Sequence, residues 1–170
     1  VELLSGSGAE TGAIVVGSAS GSSSGTATLL TGSAIVGSSG RIDITSGHSV
    51  SDKSGGISLR SGASQEDSGT IRIGGGDSTD GVGGGLALSS GDGLVSSGDV
   101  SIVSGFGQGG SGEIHLSTGS SVSDQSGAVI VESGDSASDV AGQIAILVGN
   151  SGSGRGGDAI IAAGTNVEGS

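Results

Sequence analysis

Apolar and polar residues alternate in short bursts that recur along the whole chain. "IDITSG" (Ile42 to Gly47), "ISLRSG" (Ile57 to Gly62) and "IHLSTG" (Ile114 to Gly119) show the unit: apolar, any, apolar, any, Ser or Thr, then Gly. A variable loop follows, closed by a second Gly and one further residue. Twelve copies of 12 to 15 residues begin at Val1, Ile14, Ala27, Ile42, Ile57, Ile71, Leu86, Val100, Ile114, Val129, Ile144 and Ala159. A recurring period of this kind means stacked units rather than one irregular globule. Alternation with period two places the first, third and fifth positions on one face of a short strand. None of the 17 carboxylates falls on that face. The other face holds Asp43, Thr45, Ser58, Arg60, Arg72, His115 and Ser117 and is expected to be solvated.

Two glycines keep register with this pattern. Position six is Gly in every unit except the second, where Ala19 replaces it, and the penultimate position is always Gly. Glycine tolerates positive φ and close backbone approach, which a corner between stacked strands requires. The third position adds an alternation: Leu3, Leu29, Leu59, Leu88, Leu116 and Ile146 in odd units, Val16, Ile44, Ile73, Ile102, Val131 and Ile161 in even ones. These features predict an all-β fold, a parallel β-solenoid (β-helix) with two short strands per coil of about 29 residues, about six coils and no helices. Leu of one sheet would pack between Ile and Val of the other. Ser5, Thr31, Ser61, Ser90 and Thr118 would form a hydroxyl ladder at the core edge. An antiparallel meander is disfavoured, because hairpin loops use about two to five residues and the spacers here run to about eight or more. Residues 1–170 are expected to be a single repeat domain or a segment of a longer array.

No cap is legible at either end, since Val1 occupies a first strand position and the last unit stops at "NVEGS" (Asn166 to Ser170). Stacked repeats need their open ends covered. The chain is therefore expected either to be cut from a longer array or to stack end to end. Outward positions near the ends are apolar: Leu4, Val15 and Leu30 on one side, Ile130, Leu147 and Ile160 on the other. These six form the expected self-association surface, by the rule that contiguous exposed apolar patches mark contacts.

Composition sharpens the choice between order and disorder. With 40 Gly and 37 Ser, a single aromatic residue (Phe106) and no Pro, Cys or Met, the chain has the make-up of a flexible linker. The registered glycines, the β-branched apolar positions and the absence of Pro argue for order. The formal net charge of −12 disfavours nucleic acid and anionic membrane as partners. No apolar run approaches the ~20 residues that span a bilayer, so no membrane insertion is expected. A chain without Met is expected to be a processed product or an excised segment.

Motifs of catalysis are present only as strings. "GSSSG" (Gly21 to Gly25) matches the nucleophile elbow, but no strand-to-helix setting or triad partners accompany it. "GFGQGG" (Gly105 to Gly110) and "GSGRGG" (Gly152 to Gly157) match the dinucleotide fingerprint without its helix. His48 and His115 have no second His or Cys at ligand spacing. Among the acidic loops, "GGGDSTDG" (Gly74 to Gly81) comes nearest a calcium repeat, making Asp77 and Asp80 the candidate ligands. It does not recur, so a structural calcium array is not expected. No other cofactor and no enzymatic activity are expected.

The units "GGISLRSGASQEDSGTIRIGGG" and "SGEIHLSTGSSVSDQSGAVIVESGDS" resemble the Gly/Ser-rich short repeats of surface proteins in diatoms, related algae and large algal viruses. The resemblance implies a structural role at an extracellular or cell- or virion-surface location. The expected function is a non-catalytic structural protein that forms or decorates a filament, wall layer or virion fibre, with itself as partner. The alternative is a monomeric binding module, for ice or surface glycans, presenting one solenoid face.

Overall fold

A computed structural model describes residues 2–8 and 10–165, and the chain divides into two units, Val1–Ala87 and Leu88–Ser170. None of the described residues lies in a helix or a β-strand. The predicted all-β solenoid is therefore not the fold, and its two sheets and six coils are absent among the described residues. There is no core either: no described residue is buried. The expected interleaving of Leu with Ile and Val does not occur, and the third-position side chains are 62–96% exposed.

The repeat nevertheless organises the chain, unit by unit. In each of the first eleven units the chain folds back so that the penultimate Gly lies beside its own fifth residue. A Cβ added to Gly12, Gly25, Gly40, Gly55, Gly69, Gly98, Gly112, Gly127, Gly142 or Gly157 would sit 3.2–4.0 Å from the fifth-position side chain of the same unit. In the sixth unit the fifth residue is Gly75, and an added Cβ there would overlap the carbonyl oxygen of Gly84. Two units add a backbone bond at this closure: Gly84 N–H donates to Gly76 O at 2.9 Å, and Gly98 N–H to Gly91 O at 3.1 Å. The penultimate glycine is thus needed for close approach at Gly40, Gly84 and Gly157, where a Cβ would meet its nearest neighbour at 3.0–3.3 Å; elsewhere it would make ordinary van der Waals contact. The sixth-position glycine is not needed for it, because nothing lies within 4 Å of a Cβ added at Gly32, Gly47, Gly62, Gly91 or Gly105. Nor does it take positive φ; among the described residues only Gly37, at φ +90°, does so.

Position eight closes the loop, in a way that depends on unit length. In five of the 15-residue units it is serine: Ser49, Ser78, Ser121, Ser136 and Ser151. Each Oγ accepts the N–H of the residue three further on, at 2.8–3.2 Å. This is the geometry by which serine caps a turn. The sixth such unit has Ala34 instead, and there Gly37 supplies the turn through its left-handed backbone. In the 14-residue units, Ser64 accepts from Glu66 N–H at 3.1 Å. Gly93 and Gly107 fill the equivalent place in the other two, where a Cβ would overlap the carbonyl oxygens of Ser96 and Gly110. In the 13-residue units Gly8 and Gly21 approach the carbonyls of Glu10 and Ser23. The most shielded of the described residues are Ser5, Thr31, Ser49, Ser90 and Gly107, all at position five or eight.

Local closure explains why the coil does not form. Closing a coil of 29 residues costs about 1 kcal/mol more chain entropy than closing a loop of eight, and each glycine adds to the loss on ordering. The long closure is recovered only if stacking buries apolar surface, and no described residue has that partner. The fifth-position hydroxyls accordingly meet their own penultimate Gly rather than a ladder of neighbours.

Ser121→Ala is expected to cost about 0.5 kcal/mol, the low end of the capping range for an exposed site. The check is the Asp124 amide, whose chemical shift and exchange rate should change while Ser123→Ala leaves them unaltered.

Candidate association surface

Exposure of the large apolar residues follows their place in the unit. The nine large first-position residues, from Ile14 to Ile144, are 45–58% exposed. Apolar residues in the loops, such as Ile35, Leu94 and Val122, are 89–109% exposed. Third-position side chains, at 62–96%, are as exposed as the outward second and fourth positions, at 71–90%. The first-position side chains are thus about half exposed and open to any other surface.

Leu4, Val15, Leu30, Ile130, Leu147 and Ile160 are all strongly exposed, between 71% and 90%. The first three belong to the unit Val1–Ala87 and the last three to Leu88–Ser170. Val15 and Leu30 adjoin an open groove of about 540 Å³, lined by Val16, Ser18, Thr26, Thr28 and Leu29 among others. Its lining comes from both sides of the second loop, residues 16–18 and 26–29.

The charged groups stay on the surface and act locally. Arg41 pairs with Asp43 at 2.7 Å, and Arg155 donates to both carboxylate oxygens of Asp158 at 2.7 and 3.0 Å. Exposed pairs of this kind contribute at most about 1 kcal/mol. In three loops the aspartate at position eleven, Asp52, Asp124 or Asp139, accepts the N–H of the next residue at 2.7–2.8 Å. These carboxylates are turn-formers, a role that the sequence pattern Ser-x-Ser-Asp at a fixed offset would have revealed.

Asp80 accepts a hydrogen bond from Thr79 Oγ1 at 3.2 Å. Among the described residues no three His, Cys, Asp or Glu side chains gather to hold a metal ion, so Asp77 and Asp80 lack further protein ligands of those types. "GSSSG" lies in the second loop, and no helix follows it or either glycine-rich string among the described residues. No helix among the described residues is long and apolar enough to cross a membrane. Asn166 to Ser170, read as an uncapped end, lie outside the described residues.

Comparison with protein-family models, with curated proteins and with solved structures finds no match.

Proposed function

We propose that the chain is a non-catalytic structural protein that associates with copies of itself to build or coat an acidic surface layer or filament outside the cell or on a virion. The observation that carries this reading is exposed area. The chain exposes 17101 Å². A folded monomer of 15.6 kDa exposes about 7,200 Å² and a fully unfolded one about 22,600 Å². The excess over a folded monomer, roughly 9,900 Å², is well beyond the 2,000–5,000 Å² or so that obligate partners bury. Half-shielded aliphatic positions repeated every 12 to 15 residues offer the same surface many times over, which suits partners that are themselves repeats of this chain.

The charge opposes association and so gives it a signature. Copies carrying −12 each repel through water, and salt screens that repulsion. Sedimentation velocity should therefore show mass growing with protein concentration, and growing further when salt is raised from about 10 mM to about 500 mM. A chain that stays monomeric across both series is not a self-assembling structural protein.

A further inference from the structure

The third unit departs from its length class in a way that bears on assembly. Where Ser49, Ser121 and Ser136 begin capped, acidic loop tips, the third unit has Ala34, Ile35, Val36 and Gly37. Ile35 and Val36 stand at 101% and 94% exposure, so neither enters any cavity of its own chain. The left-handed Gly37 turns the backbone just after them. Nearby in the sequence lies the groove of Val16, Ser18, Thr28 and Leu29, about 540 Å³, a size at which clefts take up apolar groups.

Charge isolates the same segment. Residues 11–40 contain no Asp, Glu, Lys or Arg, although the chain carries 22 such residues. In a molecule of net charge −12, these thirty positions are the longest stretch on which two copies can meet without opposing carboxylates.

We propose that residues 11–40 are the docking face for a second copy of this chain, the Ile35–Val36 tip of each copy seated in the Val16–Leu29 groove of the other. Knob and groove belong to one segment, so the exchange is reciprocal and closes as a two-fold pair. Val15, Leu30 and their neighbours then lie at the margin of the contact. This inference rests on the self-association reading and identifies its first contact.

The test is sedimentation velocity of the full chain and of the double variant Ile35→Asp/Val36→Asp, with Val50→Asp/Val122→Asp as a control adding the same charge at two acidic loop tips. The first variant should weaken pairing by at least about tenfold, the loss expected when apolar anchors are replaced by charge at a contact centre. The control should pair like the unaltered chain. A second measurement needs no loss of binding: mixed chains carrying Ile35→Cys and Ser18→Cys should form an intermolecular disulfide under mild oxidant, while Ile35→Cys with Ser153→Cys should not. Pairing unchanged in Ile35→Asp/Val36→Asp overturns this docking face and leaves self-association standing. An unaltered chain that never associates overturns both.

Discussion

Hydrogen exchange on a dilute, monomeric sample is expected to find nearly every amide exchanging close to its intrinsic rate, with Gly84 and Gly98 the slowest. Protection requires an intramolecular acceptor and a barrier to water. Outside side-chain turn caps, the described residues supply two backbone acceptors, Gly76 O and Gly91 O, both in exposed loops. A bond of that kind contributes about 0.5–1.5 kcal/mol, enough to slow one amide modestly and no more. Association should change the profile. Amides of the extended segments, such as those around Ile42–Ile44 and Ile114–Leu116, should slow by more than about 100-fold, or about 3 kcal/mol, once their apolar side chains are covered. Broad protection of those segments in the dilute monomer would mean a core within one chain, and the case for self-association from exposed area would collapse.

The second large effect lies in the loops and has opposite signs at two glycines two residues apart. Gly93→Ala should open the seventh loop, because the new Cβ meets the Ser96 carbonyl and the backbone must move. Backbone strain of about 1–3 kcal/mol exceeds the single Gly98–Gly91 bond at about 0.5–1.5 kcal/mol, so closure is lost rather than distorted. Gly91→Ala meets open space and no positive φ. It should stabilise the loop by about 0.4–1 kcal/mol through the reduced freedom of the open chain. Gly107→Ala and Gly105→Ala should repeat the contrast in the eighth loop. The Gly98 amide and limited proteolysis between residues 91 and 98 report both outcomes. Equal damage from Gly91→Ala would restore the corner role to the sixth position and refute closure at the eighth.

Parts of this organisation were legible in the sequence, and the reasons are local. First-position side chains such as Ile42 and Ile114 are more shielded than the loop residues Ile35 and Val122, but third-position Val16 and Ile161 are as exposed as outward Leu4 and Ile160, so the two faces are not separated. The register of the penultimate glycines matches a recurring approach to the fifth residue, tight beside Thr31 and Val148 at Gly40 and Gly157 and ordinary contact at most of the others. The coil was not legible. A period of two units states which residues are alike, and burial against the next coil depends on partners that periodicity does not specify. Leu59 and Ile73 fit a solenoid core as pattern, yet neither is covered. Position eight carried no expected role, although Ser49, Ser121 and Ser136 stand three residues before Asp52, Asp124 and Asp139. Their recurring i, i+3 spacing was the sign that pointed to turns.

Closure of each loop onto its own fifth residue has a consequence for how such a chain can change. Units of 13, 14 and 15 residues all return to the same junction, with serine or glycine at position eight in all but the third unit. Residues gained or lost beyond that junction alter the loop while the next extended segment still starts from the same point. The apolar face is thus insulated from insertions and deletions, and loop content is free to diversify from one unit to the next. That freedom makes the loops natural places to carry foreign sequence on an otherwise uniform surface.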